Sequence, residues 1–125
     1  SVDIVDARVL NMRIEYGIVS DTASNSNLVI QKVNKSLSSY MSLDNFQIDQ
    51  PILTSDLVNI ILNTPGVVSL VDFKIDNLAG NIDGRQYSTE TFSVASSTDR
   101  GMIIPPPGSI FEVKYPGDDI IGVAR

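Results

Sequence analysis

The strictest constraint in this sequence is an alternation. Over residues 10–18, Leu10, Met12, Ile14, Tyr16 and Ile18 are apolar or aromatic, and Asn11, Arg13, Glu15 and Gly17 stand between them. Successive side chains of an extended chain point to opposite faces, so this period of two predicts a strand with one face buried and the other wet. Ile4, Val5 and Val9 are expected to lead into it, with Asp3, Asp6 and Arg8 leaving its first residue open. One apolar face of a sheet has to be covered, and the elements that follow must supply the cover.

Two segments have the spacing to do so. The polar residues 20–27 carry Ser and Asn side chains that can accept from the free N–H groups of a helix start, which is expected near Ser24 or Ser26. Leu28, Val29, Val33, Leu37, Tyr40 and Met41 then recur on one helical face, and Gln31, Lys32, Asn34, Lys35, Ser38 and Ser39 cover the other. Residues 43–53 read as an extended connection anchored by Phe46, Ile48 and Ile52, with Pro51 arguing against a central strand. Thr54 or Ser55 is expected to cap a second helix that turns Leu57, Ile60 and Ile61 inward. Pro65 disfavours helical geometry at Thr64 and ends that helix, and Gly66 supplies the free φ that reverses the chain. A second long strand follows, with Val67, Val71, Phe73 and Ile75 expected on one face and Val68 and Leu70 on the other.

After Leu78 Gly, Ser, Thr, Asp and Asn dominate. Residues 86–95 read as a strand, Thr98-Asp99-Arg100-Gly101 as a turn, and residues 102–104 as a short strand. Pro105-Pro106-Pro107-Gly108 reads as a rigid corner and residues 110–115 as a last strand, while residues 117–125 show no pattern. The expected fold is α+β: two helices on a mostly antiparallel sheet in the order β-α-α-β, followed by a β-hairpin-rich extension. Residues 1–78 would form the β-α-α-β domain, and residues 79–125 an extension packed on it or used for assembly.

Composition narrows the function. Hydrophobic residues make up 42% of the chain and charged residues 19%, a globular balance, and no apolar run nears the roughly 20 residues of a membrane helix, so a soluble protein is expected. Fifteen acidic against nine basic side chains give a net charge of −6, which disfavours nucleic acid and anionic membranes as partners. There is no cysteine, and no histidine, the commonest general acid or base. No nucleophile motif or phosphate-cradling glycine loop replaces it, so neither enzyme activity, a cofactor nor a small-molecule substrate is expected. The chain opens at Ser1 without an initiator Met or a targeting signal, and is expected to be a piece of a longer polypeptide.

Four local patterns carry a functional and a plain reading. Asn81, Asp83, Gly84 and Glu90 fall at positions three, five, six and twelve of a helix–loop–helix calcium loop, but Ala79 stands at its first ligand position, and a hairpin turn at Asp83-Gly84 is the better reading. Asp118-Asp119 reads as a solvated turn in preference to a metal pair. The three prolines read as a structural corner in preference to a ligand for a proline-recognising domain. Asn34-Lys35-Ser36 matches a glycosylation sequon, in mid-helix and without a secretory signal.

Residues 3–76 resemble the C-terminal region of baseplate J-like proteins, wedge subunits of contractile-tailed bacteriophages. The resemblance runs through VDARVLNMRIEYGI, NLVIQKVNKSLSSYMSL, FQIDQPILTSDLVNIIL and TPGVVSLVDFKI, and its most specific part is the helix that stops at Pro65-Gly66 and turns into a strand. Residues from 77 onward are similar to the extra C-terminal material of the larger wedge proteins of T-even-type phages. The resemblance implies a structural virion protein of the tail baseplate, assembled in the host cytoplasm, with no catalytic residues. It would dimerise, bind other wedge proteins and link wedges into a ring around the hub that rearranges on contraction. Intersubunit contacts are then expected after Leu78, where Phe92, Ile103, Ile104, Phe111 and Tyr115 would be buried only on assembly. The alternative is a non-catalytic protein-binding module, extracellular and calcium-dependent.

Overall fold

The computed structural model describes residues 8–42 and 46–125. Its elements in chain order are β1 (Arg8–Ser20), α1 (Ser26–Tyr40), β2 (Ile52–Leu53), α2 (Thr54–Leu62), β3 (Val67–Leu78), β4 (Asn81–Ile82), β5 (Arg85–Gln86), the helical turn α3 (Val94–Ser97), β6 (Thr98–Asp99), β7 (Met102–Ile103), β8 (Ser109–Glu112), the helical turn α4 (Pro116–Asp119) and β9 (Ile120–Ala124). The fold is α+β. Expected contributions from Ile4, Val5 and Leu43 lie outside the described residues.

β1 is the spine of the main sheet. It pairs antiparallel with β3 along one edge, and parallel with β8 and then β9 along the other, so that edge departs from the antiparallel expectation. The alternation behaves as expected: Leu10, Met12, Ile14, Tyr16 and Ile18 are all at most 2% exposed and enter one core with Val29, Val33 and Leu37 of α1 and Leu57 and Ile61 of α2. Helix α1 starts after Asn25, whose side chain accepts from the N–H groups of Asn27 and Leu28. Leu28, expected inside, is 54% exposed, because the buried stripe runs through Val29, Val33 and Leu37. Helix α2 follows Leu53 without a side-chain cap; the Thr54 hydroxyl, an expected cap, instead donates to the Gly101 carbonyl 2.9 Å away.

The turn into β3 forms as its sequence demands. Val67 N–H donates to the Thr64 carbonyl at 3.2 Å around Pro65 and Gly66, whose φ of 97° is the left-handed geometry a type II turn needs at its third residue. In β3, Val67, Phe73 and Ile75 lie on the core face as expected, but Val71 and Leu70 exchange places. Gly17 pairs with Asp72 but Ile18 with Leu70, and Val19 with Ser69 but Ser20 with Val67, so Val71 and Val68 are bulged out of register. Each bulge resets the parity of the strand. Leu70, rather than Val71, packs on the core, and Val71 and Val68 are 55% and 64% exposed.

Residues after Leu78 complete the same core. Phe111, Val113 and Ile120 are buried in it, and Ile103 enters it from a small sheet ordered β2-β7-β6. Residues 87–93, expected within a strand, form no ladder; the Ser88 N–H donates to Asn11 Oδ1 at 2.7 Å and the Phe92 N–H to Asn77 Oδ1 at 3.0 Å. Two side-chain amides, the buried Asn11 and the partly buried Asn77, thus take the hydrogen bonds that a neighbouring strand would have taken. Residues 117–125, which show no pattern, supply α4 and β9. Gly122 faces the core opposite Tyr16, and a Cβ there would overlap the Tyr16 ring at Cζ and OH.

Candidate functional site

The five residues expected to wait for a partner fall in different places. Ile103 (1% exposed) and Phe111 (0%) are already buried within the chain, and Phe92 packs edge-on against Phe111 with ring centroids 5.4 Å apart. For Ile103 and Phe111 the expectation of burial on assembly fails, because the segment after Leu78 folds back onto β1. Tyr115 is half-buried against Tyr87, its hydroxyl donating to the Gln86 carbonyl at 3.1 Å. Ile104 alone of the five is exposed, at 46%.

The calcium-like spacing resolves into a hairpin. Asp83 and Gly84 take φ of 51° and 79° between the paired β4 and β5, a two-residue turn, and Glu90 lies apart on the wall of a groove. Among the described residues no three acidic side chains gather as metal ligands. The prolines form the corner expected of them: Ser109 N–H closes on the Pro106 carbonyl at 3.1 Å, with Gly108 at a φ of 80°.

Asp119 corrects its expectation. It is fully buried rather than solvated, and its carboxylate accepts from Arg13 Nε and Nη2, both at 3.0 Å, and from the Tyr87 hydroxyl at 2.6 Å. Burial and then the bond to Asp119 hold the Tyr87 phenol above its ordinary pKa. Arg85 Nε donates in turn to the Tyr87 oxygen at 3.0 Å. This network fastens the β4-β5 hairpin and α4 to the outer face of β1, with Asp119 and Tyr87 accepting from Arg13 and Arg85. The adjoining open groove, about 430 Å³, carries Arg8 and Lys114 beside Glu90 and Glu112. Asn11 on its floor donates to Glu112 at 2.9 Å. Both signs of charge are present there, beside the hydroxyls of Ser88 and Thr89.

What remains open lies on the far half of the sheet. The outer face over β1, β3 and β9 shows Ile121 and Val123, each 39% exposed, beside the bulged Val71 and Val68 of β3. Gly17 leaves room for an ion pair between Arg125 and Asp72 (3.0 Å) to bridge β9 and β3 across β1; a Cβ on Gly17 would lie 2.8 Å from both groups. β3 is also a free edge. Among the described residues it pairs only with β1, and no other backbone hydrogen bond engages residues 68–78. The N–H and C=O groups that point away from β1 along this edge make a template for another strand. No family model matches this sequence, nor does any curated protein. The residues of this surface that sequence reasoning passed over are Val68, Val71, Ile121 and Val123, with Asp72, Lys74 and Asp76 along the edge strand. Alternating charge at Asp72, Lys74 and Asp76 was the available signal, since it marks the wet face of a strand.

Proposed function

We propose that this chain is a structural assembly module without catalytic activity, the C-terminal oligomerisation domain of a phage tail baseplate wedge protein. It joins a second copy of itself, and other wedge proteins, into the ring around the tail hub. The observation that carries this reading is the open edge of β3, flanked by the exposed Val68, Val71, Ile121 and Val123 of the same sheet. Edge pairing is directional and leaves the core untouched, which suits a part that must lock and then rearrange. The element order β1, α1, α2, β3, with the Pro65-Gly66 turn between the last two, is the order on which the resemblance to wedge proteins rests. The groups buried in the polar network serve packing, and this supports a non-catalytic role.

Sedimentation equilibrium of the purified chain tests the assembly claim. The expected result is a reversible dimer of the 13.6 kDa chain. A monomer at all concentrations, with a melting temperature that rises on adding calcium, would instead favour a calcium-dependent binding module.

A further inference from the structure

We propose that two copies of this chain pair antiparallel through their β3 edges, on a two-fold axis through Ile75, with Lys74 of each copy opposite Asp76 of the other. The proposal rests on the assembly reading above and names its surface.

The occupant follows from the strand itself. Between the Val71 bulge and the end of β3, residues 72–78 keep unbroken register with β1, Asp72 opposite Gly17 and Leu78 opposite Asn11. A bulge interrupts ladder pairing, so this straight stretch is the part able to accept a strand. Ile75 is its middle residue, and in an antiparallel two-fold pair the axis passes through the middle of the paired stretch. An axis at Ile75 therefore pairs all seven positions, 72 with 78, 73 with 77 and 74 with 76.

Charge selects the same register. The outward row reads Asp72, Lys74, Asp76, with side chains of Lys74 and Asp76 67% and 40% exposed and 3.3 Å apart within one chain. The Ile75 axis places Lys74 opposite Asp76 twice, and directly opposed unlike charges favour pairing. An axis at Lys74 would oppose Lys74 to itself and Asp72 to Asp76, and an axis at Asp76 would oppose two carboxylates. An axis at Phe73 would run into the bulge after one residue on each side. A second copy of this chain thus satisfies both the length and the charge order of the edge.

The absence of cysteine in the parent makes the register readable by cross-linking. Directly opposed residues of neighbouring strands have Cα atoms about 4.5–5.5 Å apart, within disulfide reach, whereas positions offset by two residues lie beyond it. Lys74→Cys and Asp76→Cys chains, equilibrated together and oxidised, are expected to give a covalent dimer, and each variant alone is expected to give little. Melting curves of both variants, at exposed positions, should match the parent. The proposal is overturned if the mixture gives no covalent dimer while sedimentation shows dimers, or if either variant alone cross-links as fully as the mixture. Both of those outcomes leave the assembly reading standing. A parent that sediments only as a monomer overturns the two together.

Discussion

Gly122→Ala tests the part of the fold that carries no signature in its sequence. In an exposed, frayed tail the substitution would be neutral or stabilising by about 0.5–1 kcal/mol, since Gly loses the most freedom on ordering. In this structure the added methyl overlaps the Tyr16 ring at Cζ and OH and comes within 2.7 Å of Cε2. The ring cannot yield freely. Tyr16 is 1% exposed, and its hydroxyl donates to Asn34 Oδ1 at 2.5 Å with the Ile30 carbonyl at 3.3 Å. Overpacking a core of this kind costs about 1–3 kcal/mol. Swinging the ring aside would strand a buried hydroxyl, at about 1–3 kcal/mol. Either response costs about 1–3 kcal/mol, and at about 4 °C per kcal/mol for a chain of this size the melting temperature falls by roughly 4–12 °C. Thermal and urea unfolding of Gly122→Ala, Tyr16→Leu and the double variant supply the assay. The clash is removed in the double variant, so Gly122→Ala should cost much less in the Tyr16→Leu background. A Gly122→Ala protein as stable as the parent would refute the placement of β9 beside β1.

Three further outcomes follow from the same geometry. Asp119→Ala leaves Arg13 and Tyr87 without their shared acceptor and is expected to lower unfolding free energy in urea by about 3 kcal/mol, whereas Asp118→Ala at the exposed neighbour should change it by under about 0.5 kcal/mol. Gly66→Val forces a β-branched residue to a φ of 97° with its Cβ 2.6 Å from Val29 Cγ2, so a loss of more than about 2 kcal/mol is expected in the same assay. Tyr40 is raised from 10.0 to about 12, first by burial and then by its hydrogen bond to Asp56 at 2.8 Å. A raised folded pKa means that its contribution is complete below about pH 10 and is lost as pH rises through about 12, so Tyr40→Phe should flatten the fall of melting temperature over that window.

The spine and its cover were legible because they are local and periodic. Alternation at residues 10–18 identifies β1 and its buried face, and the helical spacing of Val29, Val33 and Leu37 identifies what covers it. The Pro65-Gly66 turn was legible because its two residues leave few other conformations. Parity in the middle of β3 was not, since a bulge adds a residue without leaving a compositional mark: the one at Val71 put Leu70 on the core face, and the one at Val68 returned Val67 to it. β9 was hidden for another reason: it pairs in parallel with a strand about a hundred residues earlier, and its inward residue at the centre is a glycine shaped by Tyr16. Asp119 looked solvated because its partners, Arg13 and Tyr87, are far away in sequence. The candidate surface suffered most, because exposure at Ile104 and burial at Ile103 and Phe111 depend on where residues 98–113 dock, which no local pattern records.

The proposed place of this chain in a virion is tested most directly by the protein composition of tail baseplates purified from whichever particles are produced by the source of its gene. Peptides of this chain are expected in isolated baseplates, at the copy number of the wedge proteins. Intact, purified baseplates that lack them would contradict the proposal.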